Sequence, residues 1–133
     1  MKKEYEALVK QAEQAKDGAY VPYSHFHVGA ALLCKDGRVY TGANVENASY
    51  PVTCCAERVA LFKAVTDGAR DFTAIAVTSD AEGPTSPCGM CRQALAEFNL
   101  DMDVISSGTK GKADIKKVKA LLPGAFTGKD LGK

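Results

Sequence analysis

Tryptophan is absent from this 133-residue sequence, and that alone excludes nothing. Other absences say more. No window comes near the roughly 20 consecutive apolar residues that a membrane-spanning helix needs. The opening stretch MKKEYEALVKQAEQAK carries too many charges for a secretory h-region, so a cytoplasmic protein is the expectation. Neither charge dominates: 17 basic against 16 acidic residues leave a net charge of +1, which provides no electrostatic footprint for nucleic acid. There is no internal repeat, linker or low-complexity segment, and the length suits one domain over residues 1–133 with a core of its own. In a reducing compartment the five cysteines read as ligands, catalysts or core residues rather than as a disulfide framework.

Periodicity supplies the outline. Tyr5, Leu8, Val9 and Ala12 fall on one face of a helix over residues 3–16, stopped by Asp17-Gly18. Runs 26–33 and 38–45 are rich in strand formers and flank Asp36-Gly37, a hairpin signal. Both are too continuously apolar for a half-exposed sheet, so helices are expected on both faces. Thr53 is a candidate cap for a helix running to about Thr66, residues 72–78 form a short buried strand, and a helix begins near Cys88 or Gly89 and reaches Phe98. Residues 104–106 are a further strand candidate, 116–122 a short helix, and 125–133 a tail. Alternating strands and helices after an opening hairpin give an α/β fold, a three-layer α/β/α sandwich with a mixed sheet of about five strands.

The chemistry sits in two short segments. Pro87-Cys88-Gly89-Met90-Cys91 puts two thiols three residues apart at a helix start, facing the same way, where the positive end of the helix dipole favours thiolates. Alone, such a pair reads as a zinc half-site, a redox pair or chance. A redox pair belongs directly after the first strand of a thioredoxin-like unit, not two-thirds of the way along. A four-cysteine knuckle site needs a second C-x-x-C; Cys54 is a candidate fourth thiolate, but adjacent residues at a helix start point in divergent directions. Cys55, Cys88 and Cys91 with one position left open is the catalytic arrangement of a zinc ion, one per chain. In Cys55-Ala56-Glu57 a carboxylate stands two residues beyond a ligand, on the same first helical turn, where it can exchange protons with water without coordinating the ion. Zinc deaminases carry this pair of half-motifs, with His or Cys as the first ligand and Glu as proton shuttle. Three thiolates around a divalent ion leave a negative cluster. Arg58 is either its hydrogen-bonding counter-charge or a surface arginine.

With these residues in view, the chain resembles the small homotetrameric cytidine deaminases over nearly its whole length. The resemblance runs through AYVPYSHFHVGAAL (19–32), GANVENASY (42–50), CAERVALFKAV (55–65), SPCGMCRQALAE (86–97) and LLPGAF (121–126). It implies a cytidine deaminase-like fold and zinc-dependent hydrolysis of cytidine and 2′-deoxycytidine in pyrimidine salvage. Glu57 would be the proton shuttle, Phe26 would stack on the pyrimidine, and Asn44 and Glu46 would bond the ribose hydroxyls. The backbone of Ala56 and Ser86 would meet the base and the departing ammonia. Tyr50 and Phe126 would enter neighbouring subunits' sites, since that family shares its sites within a tetramer.

Other readings stay beside these. Blasticidin-type deaminases share C-A-E and S-P-C-G-x-C-R-Q without the N-V-E-N pattern, and a non-catalytic zinc module would have no use for Glu57. Cys34 and Cys54 read as small buried hydrophobes, His25 and His27 as rim histidines, Met90 as packing, and Phe126 alternatively as a simple anchor. Five lysines within residues 110–119 read as a solvated face. Neither nucleic acid nor membrane is an expected partner.

Overall fold

The computed structural model describes residues 1–133. Its elements in chain order are α1 (Lys3–Ala15), β1 (Val28–Cys34), β2 (Val39–Ala43), α2 (Ala56–Thr66), β3 (Phe72–Ser79), α3 (Gly89–Ala96), β4 (Asp103–Ser106), β5 (Asp114–Lys117) and α4 (Val118–Leu121). The strands form one sheet in the order β2-β1-β3-β4-β5. Only β3 and β4 run parallel; the other neighbours are antiparallel, so the sheet is mixed.

Because side chains alternate across a strand, each run feeds two cores. Ala30, Leu32, Ile75, Val77 and Val104 face α2 and α3, where Ala60, Leu61 and Leu95 close the larger core. Ala31, Ala74, Ala76 and Ile105 face Tyr5, Leu8 and Ala12 of α1. This is why β1 reads as continuously apolar and residues 72–78 as a buried strand, and it makes the expected three layers; β2, read in the same way as β1, is an edge strand only half-buried over Val39–Thr41.

Close approach of helix to sheet depends on two glycines. A Cβ on Gly42 would stand 2.5 Å from the Ala60 nitrogen and 2.6 Å from the Ala56 oxygen, so only glycine lets α2 lie against β2. On the opposite face a Cβ on Gly29 would meet the Ala12 oxygen at 2.0 Å. Helix α2 leads into β3 and α3 follows it, so both helix N-termini lie toward the end of β3 near Ser79.

Four expectations need correction. The first concerns residues 114–117, which form an edge strand ahead of a helix confined to Val118–Leu121; no single helix spans 116–122. Asp-Ile-Lys-Lys has no buried side chain to show an apolar alternation, and its charges protect an exposed sheet edge. The second is the α2 cap, which is Cys55 and not Thr53; the Thr53 hydroxyl instead accepts the Asn47 N–H at 3.2 Å. Thirdly, β1 starts at Val28, β2 stops at Ala43 and α3 stops at Ala96, each two residues inside the expected run. Fourthly, the tail is not featureless, because Thr127 and Asp130 form a reciprocal capping box on a short 3₁₀ turn, Gly128–Leu131.

Candidate metal centre

Cys55 is the N-cap of α2 and Cys88 the N-cap of α3, with Cys91 in the first turn of α3. Two helix N-termini therefore converge on one point, and unbonded backbone N–H groups at both favour negative charge there. The sulfur atoms of Cys55, Cys88 and Cys91 all lie within 4.8 Å of one another, and those of Cys55 and Cys88 are 3.7 Å apart. Cys91 is fully buried, Cys55 half-buried and Cys88 exposed, so the cluster opens to one side. Three soft thiol donors at this spacing with an open side fit a zinc ion that keeps a free coordination position.

The thiols already interact electrostatically. A hydrogen bond from Cys91 lowers the Cys55 thiol, and Arg58 and Cys88 add to the effect against burial, bringing it down to about 5. The same bond, burial and the charge of Glu57 push Cys91 up. The opposite shifts show how closely the thiols are coupled, and a divalent cation bound by them displaces their protons. Arg58 reaches Cys55 Sγ with Nη2 at 3.4 Å, and its own proton affinity rises chiefly through that bond. It therefore touches the cluster and is not a free surface side chain.

Glu57 is buried at 4 % exposure, in the first turn of α2 beside Cys55. Burial raises its carboxyl to about 7, with the Cys55 charge adding to the shift and hydrogen bonding opposing it. A carboxyl in that position can both take and return a proton near neutral pH.

The remaining residues form a rim. Phe26 is exposed and follows His25, the one non-glycine residue with a left-handed backbone (φ 57°). Asn44, buried at 9 % exposure, uses both ends of its amide on the rim: Nδ2 donates to the Phe26 oxygen and Oδ1 accepts the Val28 N–H, both at 2.9 Å. Glu46 accepts the backbone N–H groups of Tyr23 and Ser24 at 3.1 Å each, and bonding to Ser24 is the main cause that holds its carboxyl below the ordinary value. It borders a cavity of about 330 Å³ with Tyr23, Ser24, Tyr50 and Thr53. Ala56 is buried at the start of α2, and Ser86 lies in the loop leading to Cys88. Tyr50 and Phe126 are 72 % and 57 % exposed in their own chain.

Of the residues read as bland, Cys34 is buried and Cys54 half-buried, its backbone paired with that of Val45. Met90 is 63 % exposed, so it does not pack between the ligands as expected. His27 is tied to Asp80, whose Oδ2 lies 2.8 Å from both the His27 backbone nitrogen and its Nδ1. Sequence reasoning gave no part to Asp80, Arg92 or Gln93. The Arg-Gln pair directly after Cys91 was the available signal for the latter two.

Comparison with known proteins places these features in context. Residues 2–107 match the zinc-binding region of cytidine and deoxycytidylate deaminases. The cytidine deaminase of Sporosarcina psychrophila is 54 % identical over 127 residues, 95 % of this chain and 93 % of its own. That of Halalkalibacterium halodurans is 56 % identical over 125 residues, 93 % of this chain and 95 % of its own. The crystal structure of a Burkholderia pseudomallei cytidine deaminase superposes with a TM-score of 0.90 at 45 % identity, covering 95 % of this chain and all of that one. A Bacillus cereus blasticidin-S deaminase is more distant, 34 % identical over 128 residues and 90 % of each chain.

Proposed function

The chain belongs to the cytidine and deoxycytidylate deaminase family, and from that premise we propose that it hydrolyses cytidine and 2′-deoxycytidine to uridine and 2′-deoxyuridine, releasing ammonia. The observation that carries the reading is the placement of a buried Glu57 beside three thiols gathered within 4.8 Å at two helix N-termini.

Cys55, Cys88 and Cys91 would hold the zinc ion. When bound, the ion supplies Lewis acidity that makes water a usable nucleophile at neutral pH. Glu57 takes a proton from the attacking water and passes it first to N3 of the ring, as the oxygen adds to C4. Glu57 then takes the remaining proton from the hydroxyl added at C4 and delivers it to the 4-amino nitrogen; the C4–N4 bond breaks as the C4 carbonyl forms, and ammonia leaves. Atoms balance: one water enters and one ammonia departs. Arg58 acts as a counter-charge that stops the three thiolates from cancelling that acidity.

Around this centre, Phe26 offers an aromatic face to the pyrimidine, while the backbone of Ala56 and Ser86 bonds the base. Asn44 and Glu46, two residues apart with Val45 turned outward between them, suit the two hydroxyls of a ribose. Both already anchor backbone, so they hold the sugar on a fixed rim. Tyr50 and Phe126, exposed in their own chain, are read as contributions to neighbouring sites in a homotetramer. We read residues 1–133 as one domain and the reaction as a cytoplasmic step of pyrimidine salvage. No helix is long and apolar enough to cross a membrane.

The 34 % identity to a blasticidin-S deaminase keeps a second substrate in view. Zinc-loaded protein offered cytidine, 2′-deoxycytidine and blasticidin S in parallel, followed by loss of cytosine absorbance, separates the two readings. Turnover of the first two, with blasticidin S slow, is the expected result. Turnover of blasticidin S alone would replace the proposed substrate.

A further inference from the structure

Arg92 is the one charged side chain that joins the metal loop to the C-terminal segment. Its Nε donates to the Pro87 oxygen, Nη2 to the Ser86 hydroxyl and Nη1 to the Leu121 oxygen, all at 2.8 Å. Two of these bonds fix the residues immediately before Cys88. The third reaches 29 residues away, to the end of α4. None of the ion pairs in the structure involves Arg92, so its charge is spent entirely on neutral oxygens in a fork geometry that lysine cannot reproduce. The next residue extends the connection, since Gln93 Nε2 donates to the Phe126 oxygen at 2.8 Å. Leu121, Leu122 and Ala125 pack on the core alongside, so the segment has an apolar seat. What Arg92 and Gln93 add is its register relative to the ligand loop.

We propose that Arg92 and Gln93 are positioning residues that dock residues 121–126 onto the Ser86–Cys91 loop, so that metal occupancy of the cysteine cluster and placement of Phe126 rise and fall together. The physical basis is direct. An ion held by Cys88 and Cys91 immobilises the loop carrying the Pro87 and Ser86 acceptors. Arg92, one residue beyond the ligand Cys91, transmits that order to Leu121, and Gln93 to Phe126. Loss of the ion frees the loop, and the fork loses two of its three fixed acceptors. The inference about substrate binding rests on the proposed role of Phe126 in a neighbouring site; the docking itself does not.

The test is backbone hydrogen exchange at the two ends of the docked segment, at Leu122, whose N–H donates to the Val118 oxygen at 2.9 Å, and at Thr127, whose N–H donates to Asp130 Oδ2 at 2.8 Å, measured with and without zinc. Stripping zinc from the wild-type protein should speed exchange there roughly tenfold or more, the equivalent of one charge-assisted hydrogen bond. Arg92→Lys keeps the charge but loses the fork, and should exchange fast in both states. Gln93→Glu replaces the donor to the Phe126 oxygen with an acceptor and leaves the loop bonds intact. It should show fast exchange near Phe126 and should raise KM for cytidine several-fold while kcat changes little, a split that general destabilisation does not produce. Wild-type exchange at Leu122 and Thr127 that ignores zinc, or an Arg92→Lys protein as zinc-sensitive as wild type, would overturn the proposal. Should Arg92→Lys fail to fold, the wild-type zinc dependence and Gln93→Glu decide it. Coupled exchange without any cytidine turnover would sustain the docking while refuting the proposed activity.

Discussion

Arg58 Nη2 lies 3.4 Å from Cys55 Sγ, which places a guanidinium against the thiol at the N-terminus of its own helix. Its Nε is buried with no hydrogen-bond partner, which costs stability, while the guanidinium charge faces the thiols. Three thiolates on a divalent ion would otherwise weaken the ion's pull on water. Arg58→Gln should therefore retain zinc but lose roughly 10- to 100-fold in kcat/KM. Steady-state rates alongside zinc content per chain check this; wild-type rates in the variant would reduce Arg58 to packing.

Asn44 does two jobs with one amide. Its side chain ties Phe26 to the start of β1, and its backbone bonds Tyr20 and Val28. Asn44→Ala should lower stability by about 1–3 kcal/mol, since two partners are left unpaired, and raise KM for cytidine together with it. Glu46→Gln keeps an oxygen for the Tyr23 and Ser24 N–H groups, so it should raise KM with little change in Tm. Thermal melts paired with KM values distinguish the two residues, and identical behaviour would contradict the assignment.

The two close-approach glycines make a controlled pair. Gly29→Ala forces a Cβ to within 2.0 Å of the Ala12 oxygen, and Gly42→Ala one to within 2.5 Å of the Ala60 nitrogen. Each should cost about 2–3 kcal/mol through overpacking. Only Gly42→Ala displaces α2, so only that variant should also lose zinc affinity. A chelator competition titration on both proteins is the check.

Tyr5 donates to Asp103 Oδ2 at 2.6 Å, fastening α1 to the start of β4, and Lys117 Nζ of β5 lies 3.3 Å from Oδ1. Burial raises the Asp103 carboxyl, but the bonds from Tyr5 and Lys117 outweigh it and leave it below its ordinary value. Burial and then Asp103 raise Tyr5 to about 12. A depressed carboxyl stabilises above its unfolded pKa and loses that contribution as pH falls through the folded value. A raised phenol loses its contribution as pH climbs from its unfolded pKa of 10.0 toward the folded value of about 12. Tyr5→Phe should thus cost about 1–2 kcal/mol at neutral pH. That difference should shrink below pH of about 4 and above pH of about 10. Urea melts across pH would show it, and a constant difference would contradict it.

The cysteine cluster was legible because its geometry is local: Cys55-Ala56-Glu57 and the C-x-x-C each occupy a single helical turn, and only their meeting needed the fold. The two-sided core was legible for a similar reason, since β1 and β3 have no polar face to alternate with. Residues 114–117 were opaque, because an edge strand of charged side chains carries no burial signal. The ties made by Asp80 to His27 and by Arg92 to Leu121 were opaque for another reason. They join positions 53 and 29 residues apart through polar bonds that leave no periodic trace.

The most direct test of the account is the rate of ammonia release from cytidine by the Glu57→Gln protein, measured beside wild type at matched zinc content. With the carboxyl replaced by an isosteric amide that cannot carry the proton, the account predicts one zinc per chain in both proteins and a kcat lower by roughly 10²–10⁴-fold in the variant. Turnover within a few-fold of wild type at equal zinc would contradict it, because the buried residue beside the cysteines would then not be the group that moves the proton.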